Sequence, residues 1–136
     1  MRTGNVALIK TIEHDPIFLS EIKALSPRAL FIGRLLMPQV NLSTMDPLAE
    51  ARRVVDLLLP VAADSRRMEV FDAWEGYNEP VASDAEQMKR LADMEAERVR
   101  LLAEQGIRSV IGNFSAGRPP LEDWPYFRPA LESARE

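Results

Sequence analysis

Two rhythms alternate along this chain. Apolar-rich runs, three of them near-continuous, stand at residues 6–11, 29–36, 68–73 and 107–113. Unbroken runs of this kind suit strands of a parallel sheet buried on both faces. Between them, apolar residues recur at helical spacing. Residues 17–25 place Phe18, Ile22 and Leu25 on one face, after an Asp15-Pro16 cap and ahead of a Ser26-Pro27 stop. Asp46-Pro47 repeats the start signal for a helix over 48–62, with Leu48, Ala51, Val55, Leu58 and Leu59 on one side and Pro60 bending or shortening its end. Ser83-Asp84-Ala85-Glu86 reads as a capping box opening the longest helix, which runs to about residue 105. Its apolar face carries Met88, Leu91, Ala92, Val99, Leu102 and Ala103, and Gly106 is a natural stop. After the turn-rich SAGRPP, residues 121–135 read as a last helix with Trp124, Phe127 and Leu131, its first half interrupted by Pro125 and Pro129. The order β-α-β-α-β-α-β-α predicts an α/β domain: four βα units with parallel strands and right-handed crossovers.

Composition narrows the function classes. At 136 residues the chain has the length of one domain, with no linker or low-complexity tract. A net charge of −4 without long charge runs argues against nucleic acid or an anionic membrane as partner. No apolar run approaches the ~20 residues that span a bilayer. The stretch MRTGNVALIKTIEHD lacks the pattern of a secretory leader, and localisation is left open. There is no cysteine and one histidine, His14, so thiolate and His-rich metal sites are excluded and no cofactor is implied.

In parallel α/β folds, sites gather at the C-terminal ends of the strands. The residues expected there are Lys10, His14 and Asp15; Arg34 and Gln39; Trp74 to Glu79; and Asn113, Phe114 and Ser115. Aromatic faces beside amides and acids suit a polyhydroxylated ligand such as a sugar. Glu79 is the sharpest candidate. Asn78 beside it can hydrogen-bond a sugar hydroxyl or orient the carboxyl, and Pro80 restricts Glu79 to extended conformations. A Glu held against Trp74 or Tyr77 would be desolvated, with the raised pKa of a general acid. Arg34 is expected either to contact substrate or, preferentially, to pair with an acid inside the fold. Glu75 is expected as a solvated loop acid or a partner of a nearby Arg, His14 as a loop or helix-start residue, and Trp124 and Phe127 as packing.

The segment Trp74-Glu75-Gly76-Tyr77-Asn78-Glu79-Pro80 resembles the W-x-x-x-N-E-P segment of retaining glycoside hydrolases built on (β/α)8 barrels, the clan of cellulase-like and xylosidase-like enzymes. The following helix with Arg98, Leu102 and Gly106, then SVIGNFSAGRPP, looks like the units after that segment. The resemblance implies a partial, half TIM barrel, with the four strands in barrel positions two to five. It makes Glu79 the general acid/base and Asn78 the residue that holds substrate; Trp74, Tyr77, Asn113 and Arg34 are the further carbohydrate-binding candidates from their places at the strand ends. Retaining hydrolysis needs two carboxylates about 5–5.5 Å apart and inverting hydrolysis about 6.5–9.5 Å. In the clan the nucleophile comes from the seventh strand, which has no counterpart here, so the nucleophile is expected to be missing. Asp15, Asp72 or Glu75 would serve only in a geometry unlike the family's. Two copies would close eight strands, but they would bring the strand ending at Arg34, not a carboxylate, to the seventh position. The expected partners are therefore a carbohydrate and either a second copy or a complementary barrel half. A non-catalytic sugar-binding remnant and a purely structural, self-assembling half-barrel are the alternatives.

Overall fold

The computed structural model describes residues 6–135. The first five residues, part of the stretch read for a leader, lie outside the described residues. The strands are β1 (Leu8–Thr11), β2 (Leu30–Gly33), β3 (Ala73–Glu75) and β4 (Ser109–Val110). The helices are α1 (Pro16–Leu25), α2 (Pro47–Ala62), α3 (Ser65–Met68), α4 (Ala85–Ala103) and α5 (Arg128–Ser133), the last preceded by a 3-10 segment, Leu121–Phe127. The strands lie in the order β1-β2-β3-β4, and all neighbours are parallel.

That order has a consequence. Right-handed crossovers that always step the same way place every helix on one face of the sheet. Burial agrees. Ile9, Phe31 and Trp74 pack with Leu19, Val55, Leu58, Leu102 and Ile107 in one cluster on the helical side. Leu8 and Leu30, one residue out of step, face the other way and are 53% and 49% exposed. A second cluster joins α2, α4 and α5 through Val54, Met88, Leu91, Met94, Phe127 and Ala130.

The helix starts follow from short polar side chains. Asp15 accepts from the amides of Ile17 at 2.8 Å and Phe18 at 3.1 Å, and Asp46 from Ala49 at 2.8 Å. The box at α4 sits one residue later than Ser83 suggests. Asp84 is the cap, accepting from Gln87 N at 2.8 Å, and the Gln87 amide oxygen reaches back to Ser83 N at 3.2 Å. Asp caps as well as Ser, and Gln fills the third position as well as Glu. Gly106, at φ 71°, closes α4, with Ile107 N donating to Leu102 O at 3.0 Å. Pro60 lies within the last turn of α2, which continues to Ala62.

Four elements depart from the pattern read in the sequence. Residues 68–72 are not a strand, and β3 begins only at Ala73. Asp64 caps the short α3, and the amides of Val70 and Phe71 both turn back to Arg67 O, at 3.0 and 2.8 Å. The buried Val70 and Phe71 reach the core from a turn, and pairing begins only where Asp72 N donates to Phe31 O at 2.9 Å. β4 is cut to two residues, with Gly112 at φ 66° turning the chain shortly after it. In α1 the inward residue is Leu19, while Phe18 and Leu25 are exposed. The last helix is 3-10 up to Phe127, where Pro125 supplies no N–H to a longer ladder, and is α-helical only from Arg128.

Candidate functional site at the strand ends

Trp74 sets the geometry. Its indole lies over Gly33, where an added Cβ would sit 2.5 Å from the ring. The Trp74 ring is thereby committed to the helical side, only 2% exposed. Strand alternation then turns Glu75 to the opposite side. There Glu75 is 1% exposed and meets Lys10 Nζ from β1 and Arg34 Nε from beyond β2, both at 3.3 Å. Lys10 Nζ also donates to Asn113 Oδ1 at 2.8 Å, and Asn113 Nδ2 lies 3.4 Å from Glu75 Oε1. Burial raises the Glu75 pKa above the usual glutamate value, against the opposing pull of Lys10, Arg34 and Arg98.

Behind this cluster α4 supplies a second buried pair. Arg98, fully buried, donates through Nε to Glu95 Oε2 at 3.0 Å and through Nη2 to Val110 O at 2.7 Å, with Nη1 3.4 Å from Trp74 O. One guanidinium thus ties the ends of β3 and β4 together. Gly76 leaves it room, since a Cβ there would lie 3.1 Å from Arg98 Nε.

Asn78 and Glu79 stand on top of this base. Arg34 Nη1 donates to Asn78 Oδ1, Asn113 Nδ2 approaches the same oxygen at 3.4 Å, and Gln39 Nε2 donates to Asn78 O at 2.7 Å. Glu79 N donates to Asn113 O at 2.9 Å. The Glu79 backbone is left-handed, φ 48°, among the described residues the one non-glycine with positive φ. Its side chain is exposed, and its carboxylate has no hydrogen bond or ion pair among the described residues.

The structure therefore brings Arg34, Asn78, Glu79 and Asn113 together and corrects the rest. Trp74 and Tyr77 do not line a sugar-facing rim. Trp74 is core, and the Tyr77 hydroxyl is locked between Glu50 and Arg53, with burial and the Glu50 carboxylate pushing its pKa up to about 12. The desolvated setting expected for Glu79 is absent, because the aromatic residues before it have turned inward. Pro80 does not hold Glu79 extended, because the bond to Asn113 O fixes it in the left-handed region. Glu75 is no solvated loop acid but a buried strand residue, paired with Arg34 as expected and with Lys10 besides. His14 packs beside Trp74, ring centroids 5.3 Å apart, with Nε2 3.0 Å from Arg34 O. Asp15 is spent as a helix cap. Ser115 O accepts a turn bond from Arg118 N at 3.1 Å, and Phe114 packs on Phe127 at 5.0 Å between centroids. The central place of Glu75 was readable from its offset of one residue from a strand aromatic, the signature of opposite faces. Among the described residues, no three acids and histidines gather in a way that could hold a metal ion. No family model matches the chain, and neither curated proteins nor solved structures yield a match.

Proposed function

We propose that this chain is half of a (β/α) barrel directed at carbohydrate, with Glu79 as its general acid/base and Asn78 as its sugar contact. One observation carries this reading. Glu79 is held in a costly left-handed conformation by neighbours that do not touch its carboxylate, which among the described residues has no partner at the mouth of a parallel sheet. Backbone strain of this sort costs about 1–3 kcal/mol and persists where the surroundings over-determine it, commonly at functional sites. The Asn-Glu-Pro resemblance supplies the chemistry. Protonated Glu79 would give its proton to the glycosidic oxygen as the C–O bond breaks, and the carboxylate would then take a proton from the attacking water.

The second carboxylate required for hydrolysis is not offered by Glu75. That group is buried beneath Lys10, Arg34 and Asn113, and an attack on an anomeric carbon would need it bare and aligned. The half-barrel alone is thus a binding and proton-transfer surface.

The test pairs amide NMR with a panel of aryl glycosides, on the wild type and on Glu79→Gln. The expected result is a sugar-dependent shift of the Asn78, Glu79 and Asn113 amides in both proteins, and turnover in neither. Silence of these amides across the panel at millimolar sugar would defeat the carbohydrate reading. Turnover surviving in Glu79→Gln would defeat the assignment of Glu79.

A further inference from the structure

The helix-free face of the sheet carries an unusual combination of groups. Strand alternation places Leu8, Lys10, Leu30, Ile32, Ala73 and Arg108 on it, with Arg34 and Glu75 at its upper end. Leu8 and Leu30 are half exposed, as is Ile12 just beyond β1. Among the described residues both β1 and β4 pair on one side only, so each offers a free parallel edge. Exposed edges beside an apolar face are an invitation to further strands.

Charge decides which strands. Three cations, Lys10, Arg34 and Arg108, share the face with one carboxylate, Glu75; Asp72, near Arg108, is already paired with Lys23 from the helical side. A second copy related by a two-fold axis would keep all strands parallel, but it would bring the same surplus. Six cations would be enclosed with two carboxylates. Enclosing unpaired charge costs several kcal/mol per ion. At the two seams, β4 with Arg108 would lie beside β1 with Lys10, like charge against like.

From the topology and this charge count, independently of any sugar, we infer that the face docks a separate polypeptide presenting four parallel strands whose inward side chains carry net negative charge. Its carboxylates answer Lys10 and Arg108, its outer strands take the edges of β1 and β4, and its apolar residues cover Leu8, Ile12 and Leu30. A second copy of this chain is the occupant the argument rejects.

The test uses the chain against a charge-reversed copy of itself, Arg108→Glu combined with Leu30→Glu. Both positions are exposed, so the copy keeps the helical core, and circular dichroism verifies that it folds. The copy has the same edges but presents three carboxylates against two cations. Sedimentation velocity of the wild type alone is expected to show a monomer. An equimolar mixture is expected to form a 1:1 complex, with Kd at least about tenfold below that of either self-pair and weakening as salt is raised. A stable wild-type dimer would overturn the inference in favour of self-closure. A mixture of two folded chains that stays monomeric would overturn it outright.

Discussion

The left-handed backbone at Glu79 and the half-buried carboxyl of Asp72 set two kinds of residue on the flanks of β3 side by side, one proposed for function and one for stability. If the φ of 48° at Glu79 is held for the sake of its carboxylate, the conformation is a cost that glycine would remove. Glu79→Gly should raise stability in urea by about 0.5–1 kcal/mol, after the extra chain entropy of glycine, and should abolish sugar-dependent shifts. A loss of stability would mean that the Glu79 side chain serves the fold. Asp72 is the opposite case. Burial alone would raise its pKa, but the Phe31 amide at 2.8 Å and Lys23 at 3.0 Å, with Arg108, lower it. A lowered folded pKa means stability present above the ordinary aspartate range near pH 4 and lost as pH falls through the folded value. The advantage of wild type over Asp72→Asn should be about 1 kcal/mol at neutral pH, the side chain being 32% exposed, and should vanish on acidification. An advantage that stays constant into acid would assign it to packing. Glu79 stood out in the sequence as a candidate because Asn-Glu-Pro is a dense local signal. Its exposure was not, since that depends on where Trp74 and Tyr77 turn, and a glycine on a neighbouring strand sets the direction of Trp74.

Among the elements, α4 carries the site's foundation through Glu95 and Arg98, three residues apart on its sheet-facing side. The pair is enclosed, and the guanidinium also serves the carbonyls of Trp74 and Val110. Removing one member of a buried pair leaves an uncompensated charge and costs about 3–5 kcal/mol. Glu95→Ala should therefore destabilise by about that much, while Glu95→Ala with Arg98→Met should recover part of the loss, both read from chemical denaturation. A single variant costing under about 1 kcal/mol would show that the carbonyls alone satisfy Arg98. The sequence marked α4 well, because its caps and apolar stripe are local. It marked Arg98 only through the resemblance and gave no sign of its pairing with Glu95, which becomes visible once β3 and β4 are laid beneath them. Short strands were the least legible elements. β3 and β4 hold three and two residues, and the apolar runs that announced them are largely turns burying their side chains.

At the scale of the whole molecule, the order of elements gave the parallel sheet, since four alternating βα units admit few other arrangements. What the apolar runs concealed is that, among the described residues, the second face is covered only toward the C-terminal ends of the strands, over Ile32 and Glu75, and open below. A run such as Leu30-Phe31-Ile32 reads as buried on both faces, yet Phe31 is 0% exposed on the helical face and Leu30 is 49% exposed on the other. The difference makes a sharp comparison between neighbours. Phe31→Ala removes a ring enclosed among Leu19, Val55, Leu58 and Trp74 and should cost about 3–5 kcal/mol. Leu30→Gln puts a polar group where water already reaches and should change stability by no more than about 0.5 kcal/mol. Urea titration of the two variants at a concentration where the chain is monomeric provides the measurement. Equal losses would mean that the second face is covered within the single chain, and the argument for a docked partner would fall with it. A large loss for Phe31→Ala beside a negligible one for Leu30→Gln would leave Leu8, Ile12 and Leu30 without a role in the isolated fold. Their burial would then have to come from strands added at the edges of β1 and β4, where the excess of cations requires carboxylates opposite.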